Sequence, residues 1–247
     1  MKRIVIKASE VAACVGQNRF KPASEVRDDM WKRYSPETFL GQTKEDVGLE
    51  SLAKSDGAQT ILKQALAVRA KSSDEAETVF LEAQKAIKAL DGLSIEDKAN
   101  VTEMLRSRIY TTHGTRSEAR TANKVTAEEG TILRPDNAFY EYEVCVLDMV
   151  RYVIVGKVDR IEHLPDGRKV LIEIKNRTKK LFRQVYPAEN IQIQTYLQML
   201  RDMSHAKLIE QYNQETNTML VERDDDLWQD EVLPELVNFC RELHEKF

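Results

Sequence analysis

The sequence predicts an α/β domain in which a central mixed β-sheet is flanked by helices and carries a helical insertion. Three observations carry that expectation. Runs rich in β-branched and aliphatic residues at 138–147, 150–158 and 169–175 have the length and spacing of strands. Segments of helical periodicity lie on both sides of these runs. A chain of 247 residues with 42% hydrophobic content can bury one α/β core and support a helical appendage.

Taken in order, residues 8–15 and 23–34 read as short helices around a loop at 16–21. From 44 to 106 Ala, Leu, Glu and Lys dominate, and Leu62, Leu66, Val79, Ala83, Ile87 and Leu90 recur at helical spacing. Ser72-Ser73-Asp74-Glu75 and Ser94-Ile95-Glu96-Asp97 mark helix starts, where a hydroxyl can accept an otherwise unpaired backbone N–H. This stretch is expected to be an insertion over approximately 40–110, supporting rather than catalytic, within a single domain spanning 1–247. A helix is expected at about 112–124. Residues 138–147 alternate, with Tyr140, Tyr142 and Val144 on one face. The runs 150–158 and 169–175 are expected to pair as a hairpin across the turn Pro165-Asp166-Gly167. A helix over 189–203 presents Ile193, Tyr196, Leu197 and Leu200 as an apolar stripe. Strands 207–212 and 218–222 are expected to turn at Glu215-Thr216-Asn217, and a closing helix over 226–247 is interrupted near Pro234.

Composition narrows the classes of function. There is no run of eighteen apolar residues, so no membrane-spanning helix and no membrane partner are expected. Met1-Lys2-Arg3 leads into only four apolar residues, so an intracellular rather than a secreted protein is expected. Cys14, Cys145 and Cys240 are far apart in sequence and form no C-x-x-C, which fits a reducing compartment and argues against structural zinc. A net charge of -4 does not announce nucleic-acid binding, but the distribution is uneven. Residues 168–183 hold seven basic side chains against Glu173 alone, and 222–235 hold seven acids against Arg223. The acidic run reads as a solvated face, the basic run as a phosphate-contacting one.

The chemistry concentrates at 156–175. Asp159 ends one apolar run, and Glu173 and Lys175 share one face of the next. In a hairpin Asp159 can reach the same face. Two carboxylates can hold a hard divalent cation, Mg²⁺ or Mn²⁺, while the amine stays near a water or a phosphate. An edge hairpin with charges facing water is the competing reading. Val170, Leu171, Ile172 and Ile174 argue against it, because a nearly continuous apolar strand is buried on both faces and charges there need partners.

This arrangement resembles the PD-(D/E)XK nuclease superfamily. Asp159 matches the first acid of its motif and Glu173-Ile174-Lys175 its E-x-K, with Val158 at the position of the usual proline. Gln192, with either Gln194 or Tyr196, resembles the helix motif of the RecB-like and YqaJ-type branches, and the sequence does not choose between the two. His113-Gly114-Thr115-Arg116-Ser117-Glu118 resembles the helix carrying their additional acid. Ile6-Lys7-Ala8-Ser9-Glu10-Val11 with Gly16-Gln17-Asn18-Arg19-Phe20-Lys21 resembles the opening of YqaJ-type viral recombinases and phage lambda exonuclease.

The resemblance implies a restriction-endonuclease-like core and a metal-dependent DNA exonuclease, 5′ to 3′ on linear duplex ends, in viral or phage recombination and replication. An endonuclease, an RNA-acting host-shutoff nuclease or a degenerate binding module are the alternatives on the same core. Asp159, Glu173 and the Ile174 carbonyl are the expected ligands of Mg²⁺ or Mn²⁺, with Glu118 as the additional one and Glu143 and Glu162 as reserve acids. Lys175 is expected to orient water and stabilise phosphate charge, and Gln192 to hold the water, the lysine or a phosphate. Lys2, Arg3 or Lys7 with Ser9 resemble a pocket for a terminal 5′-phosphate, although Ser9 is equally placed to cap a helix. Arg177, Lys179, Gln194 and Tyr196 are the further expected contacts to nucleic acid. The implied partners are duplex DNA ends, a single-strand annealing protein and further copies of the chain. Some RecB-like nucleases hold an iron–sulfur cluster with four cysteines, and three cannot do so in that way. His113 has no partner motif and reads as structural.

Overall fold

A computed structural model describes residues 1–247. Its strands form two sheets rather than one. Strands β1 (Lys2–Lys7), β4 (Val150–Gly156) and β3 (Tyr140–Leu147) make a three-stranded sheet in the order β1-β4-β3, with β1 parallel to β4. Strands β2 (Leu133–Pro135), β5 (Arg160–His163), β6 (Lys169–Asn176), β7 (His205–Tyr212) and β8 (Glu215–Glu222) make a five-stranded sheet in that order, with β6 and β7 parallel and the other pairs antiparallel. The helices are α1 (Val11–Cys14), α2 (Ala23–Tyr34), α3 (Lys44–Ala53), α4 (Asp56–Ala67), α5 (Ser73–Ala89), α6 (Ile95–Glu129), α7 (Pro187–Met199) and α8 (Leu233–His244). The α/β class and the restriction-endonuclease-like arrangement of mixed sheets between helices hold.

The expected hairpin of 150–158 with 169–175 is corrected. The run breaks after Gly156: β4 stays with β1 and β3, the chain crosses at 157–159, and β5 is the strand that pairs with β6. Gly156 sits where the crossing is tightest, since a Cβ there would lie 2.5 Å from Tyr196 Cε1 and 2.7 Å from the Ala8 Cβ. Gly156→Ala is therefore expected to destabilise the protein by about 1–3 kcal/mol, the cost of overpacking. Urea unfolding measures it, and a midpoint within error of wild type would contradict this packing.

Strand β1 has no counterpart among the sequence-derived elements, although Ile4 and Ile6 are fully buried in it. The helix expected at 112–124 is the C-terminal half of α6, which runs unbroken for 35 residues. Val101, Leu105, Ile109 and His113 keep one buried stripe across the expected gap, so nothing ends the helix until Gly130 takes a left-handed φ of 68°. Ser94 caps its start by accepting the Asp97 N–H, as Ser72 does for α5 with Glu75. The β7–β8 turn falls at Asn213 and Gln214, and residues 215–217 lie in β8. Pro234 interrupts the closing helix as expected: a π-helical turn over Leu227–Val232 precedes α8.

The main core holds 29 buried residues, drawn from β1, β4, α1, α2, α7 and α8, from the π-helical turn and from single positions of β5, β6, β7 and β8 such as Leu171 and Leu208, with Trp228 and Tyr152 the largest. A second cluster of 11 buried residues lies among α3, α4, α5 and the first half of α6. A third, of six, joins α6 to the outer face of β6 and β7. No helix is long and apolar enough to cross a membrane.

Candidate active site

Strand β6 is the spine of the site. Val170, Ile172 and Ile174 pack against Ala122 and Val125 of α6. Strand alternation then turns Glu173 and Lys175 to the opposite face, toward α7. There Lys175 Nζ donates to Glu173 Oε1 at 2.6 Å and to Gln192 Oε1 at 3.0 Å, and Gln192 Nε2 donates to the same Glu173 oxygen at 2.9 Å. Glu173 is 3% exposed. A carboxylate that deep is costly unless paired and hydrogen-bonded, and this triangle supplies both conditions.

Asp159 enters from the crossing between the sheets. Its Oδ2 accepts the Ile174 N–H at 2.8 Å. Strand β5 stops pairing at Arg160 opposite Ile172, so Ile174 has no strand partner on that side and the carboxylate takes its place. The N–H and C=O of a strand residue point toward the same neighbour, so the Ile174 carbonyl is directed to the Asp159 side as well. One turn along α7 from Gln192, Tyr196 is buried, and its hydroxyl donates to the Lys157 carbonyl at 3.0 Å, fixing the segment that carries Asp159.

Burial and the charge of Glu173 push the Asp159 carboxyl up from 3.8 to about 8. Burial, and then Glu173, raise Glu118 as well. For Lys175 burial opposes the charged form, but Glu173 and Asp159 outweigh it and its pKa is raised. Lys175 therefore stays an ammonium, suited to stabilising phosphate charge rather than to acting as a base. A carboxyl raised in the folded state takes up a proton on folding. Its contribution is complete below the unfolded value near 4 and is lost as pH rises toward 8. Metal-free protein should accordingly lose on the order of a few kcal/mol between pH 5 and pH 8.5, at about 1.4 kcal/mol per pKa unit. Asp159→Asn should flatten that slope in thermal melts in EDTA; parallel pH profiles for the two proteins would contradict the assignment.

A family model of the PD-(D/E)XK nuclease superfamily matches residues 49–244. The chain belongs to the PD-(D/E)XK nuclease superfamily. Membership points to a hydrolytic nuclease, and enzymes of this superfamily generally use divalent metals such as Mg²⁺. The match takes in most of the helical segment and leaves out residues 1–48. A solved structure described as "Crystal structure of SSO0001" aligns over 76% of this chain and 85% of that one, at 15% identity and a TM-score of 0.40, too distant to bear on function. No curated protein matches the sequence.

The PD-(D/E)XK residues fit a hard cation by their charge balance. The carboxylates of Asp159 and Glu173 share the ammonium of Lys175, Glu118 lies in electrostatic reach with the charges of Arg160 and Lys157 also acting on it, and burial and Glu173 together keep protons on Asp159. No three acidic, histidine or cysteine side chains form a ready cage, and Glu118 reaches Asp159 and Glu173 through its charge. Two carboxylates and the Ile174 carbonyl remain, a set that suits magnesium, which takes few protein ligands and keeps its waters. The reserve acids lie outside the set: Glu143 pairs with Arg151, and buried Glu162 pairs with Lys207 at 2.7 Å.

Several expected nucleic-acid contacts are corrected. Arg177 is clamped inside the protein, with Nε on Glu210 Oε1 at 2.7 Å and NH1 on Glu189 Oε1 at 2.5 Å, and its plane stacks on Phe182. Gln194 is 1% exposed; it donates to the Glu222 carbonyl at 2.8 Å and accepts the Asp224 N–H at 2.9 Å, so it faces away from the site. Tyr196 shares the site face of α7 with Gln192 but is a buried wall, not a surface contact. Lys2, Arg3 and Ser9 do not meet. Lys2 and Arg3 lie at the start of β1, where Lys2 binds the Tyr34 carbonyl and Arg3 pairs with Glu141, and Ser9 lies past its other end. Ser9 does not cap a helix either, because Lys7 holds the cap position of the 3-10 turn Ala8–Glu10. Ser9 and Lys179 are exposed. The sequence reading missed Lys157 and Arg160, whose charges act on Glu118. Their signal was the bracket Lys157-Val158-Asp159-Arg160, basic residues on both sides of the first acid.

Proposed function

We propose that the chain is a Mg²⁺- or Mn²⁺-dependent deoxyribonuclease that works as an exonuclease on the ends of linear duplex DNA, 5′ to 3′, in viral or phage recombination or replication. Residues 1–247 then act as one nuclease domain with its helical insertion at about 40–110. The observation that carries the reading is the closed triangle of Glu173, Lys175 and Gln192 beside an Asp159 held on the Ile174 N–H. A bound cation supplies Lewis-acid polarisation of the phosphate and lowers the pKa of a water. Asp159, Glu173 and the Ile174 carbonyl would hold it. Lys175 donates to the phosphate oxygens as charge builds on them, and Gln192 fixes both the lysine and Glu173 so that neither must reorganise. Tyr196 keeps the Asp159 segment in register through the Lys157 carbonyl. The intact set favours an enzyme over a degenerate binding module. Duplex ends are the proposed partner, with a single-strand annealing protein and further copies of the chain as additional ones.

One observation favours a second reading, an endonuclease or an RNA-acting enzyme on the same core: of the basic residues expected beside Ser9, Lys2 and Arg3 lie at the far end of β1, and only Lys7 lies at the near end. A panel of linear duplex with 5′-phosphate, the same duplex with 5′-hydroxyl, covalently closed circles and RNA, each with Mg²⁺ or EDTA, separates the two. The exonuclease should degrade the phosphorylated linear duplex fastest, only with metal, and leave circles intact. Cleavage of circles or of RNA at comparable rates would replace the exonuclease reading with the second.

A further inference from the structure

Away from the catalytic triangle, one cleft of about 90 Å³ is lined by polar side chains alone. It lies where the α6 face bearing His113 and Ser117 meets the first turn of α5 and the ends of β6 and β7. Lys71, Arg120 and Lys124 line it, and no carboxylate does. The nearby acids of α5 are engaged elsewhere: Asp74 accepts from Tyr212 at 3.2 Å and from Asn213 at 2.9 Å, and Glu75 accepts the Lys71 N–H at 2.6 Å. His113 and Ser117 are 6% and 5% exposed, and His113 Nδ1 and the Ser117 hydroxyl have no hydrogen-bond partner. Buried polar atoms are nearly always paired, so two orphans side by side on one helix face point to a missing partner. The N-terminus of the 17-residue α5 adds its positive dipole end to the same cleft.

We propose that this cleft binds a phosphate group. A tetrahedral oxyanion has acceptors enough for the Ser117 hydroxyl, the guanidinium of Arg120, the Lys71 ammonium and, in one tautomer, His113 Nδ1 at once. Arg120 already donates to the Lys71 carbonyl, which holds its remaining N–H groups in place. The phosphate has two possible sources, a strand of nucleic acid or a free monoester such as a mononucleotide. Asn176 lines the cleft one residue beyond Lys175, so a strand leaving the catalytic face can pass the end of β6 and reach it. The choice of a strand as source rests on the nuclease reading; the oxyanion chemistry does not.

Isothermal titration in EDTA, where no cleavage occurs, tests the cleft on the full chain with three probes: inorganic phosphate, a mononucleotide and a single-stranded oligonucleotide. Wild type should bind phosphate saturably, and Ser117→Ala and Arg120→Gln should each weaken it by about tenfold. Ser117→Ala should not lower the melting temperature of the unliganded protein, since it deletes an unpaired buried hydroxyl. A stronger loss for the oligonucleotide than for the mononucleotide assigns the strand, and the reverse assigns the free monoester. Equal phosphate affinity in wild type and both variants, or no saturable binding of any probe, overturns the proposal. Phosphate binding that depends on Ser117 and Arg120 in a protein that cuts nothing would leave this site standing and remove the nuclease reading instead.

Discussion

Glu173→Gln and Asp159→Asn are each expected to lower cleavage by about three orders of magnitude or more, because a lost metal contact withdraws several kcal/mol of transition-state stabilisation at about 1.4 kcal/mol per tenfold. The two substitutions act differently on the same ion. Asp159→Asn keeps a side-chain oxygen for the Ile174 N–H, 2.8 Å away in the wild type, and removes only charge. Glu173→Gln keeps an oxygen for Lys175 but deletes the charge that holds the ammonium in place. Affinity for nucleic acid should stay close to wild type in both, since it rests on phosphate contacts spread over the surface. Single-turnover cleavage and a binding isotherm on the same preparations read the two quantities apart. Either variant cutting within tenfold of wild type would remove these residues from the metal set.

Arg177→Ala is expected to destabilise the protein by about 3–5 kcal/mol, the cost of leaving a buried charge without its partner. Glu210 is completely buried, and besides Arg177 it receives only the Phe182 and Arg183 backbone N–H groups and the Asn217 amide. Those hydrogen bonds do not neutralise it. Loss of the guanidinium would also release Glu189 in the first turn of α7, two residues before Ile191 and three before Gln192. Urea titration gives the stability. The contrast with the exposed Lys179 is diagnostic: Lys179→Ala should leave stability unchanged and weaken nucleic-acid binding. A stable Arg177→Ala protein with weakened binding would restore Arg177 to the phosphate-contacting set.

Arg177 also shows what sequence alone conveys and where it stops. Glu173 and Lys175 were legible because charged side chains inside an apolar strand need partners and strand periodicity put them on one face; Gln192 was legible only through the resemblance of its helix to a family motif. Asp159 was legible as an acid at the end of a strand, but not the break after Gly156 that delivers it, because whether one apolar run serves one sheet or two depends on packing between distant segments. The basic run at 168–183 looked uniform, yet the Arg177 side chain is only 10% exposed while Lys179 stands in solvent. Charge partners such as Glu189 and Glu210 lie 12 and 33 residues away, beyond any local pattern. Gln194 and Tyr196 were equivalent by spacing until the fold turned one toward β8 and the other toward the catalytic crossing. Strand β1 was hidden by its brevity and by the charges at its ends.

Helix α6 has a mechanical consequence. At 35 residues it is a rod about 52 Å long. Its first half is packed into the insertion's own cluster through Val101, Leu105 and Ile109, and its second half is packed onto β6 through Ala122 and Val125. Glu118 is borne on the second half, beyond the last of the insertion's anchors. Two bodies that share a continuous helix have no hinge between them: a torque on the insertion is transmitted along the axis and arrives as rotation or tilt at Glu118, the one acid that stands apart from Asp159 and Glu173. Whatever presses on the insertion therefore has leverage on where Glu118 stands relative to Asp159 and Glu173.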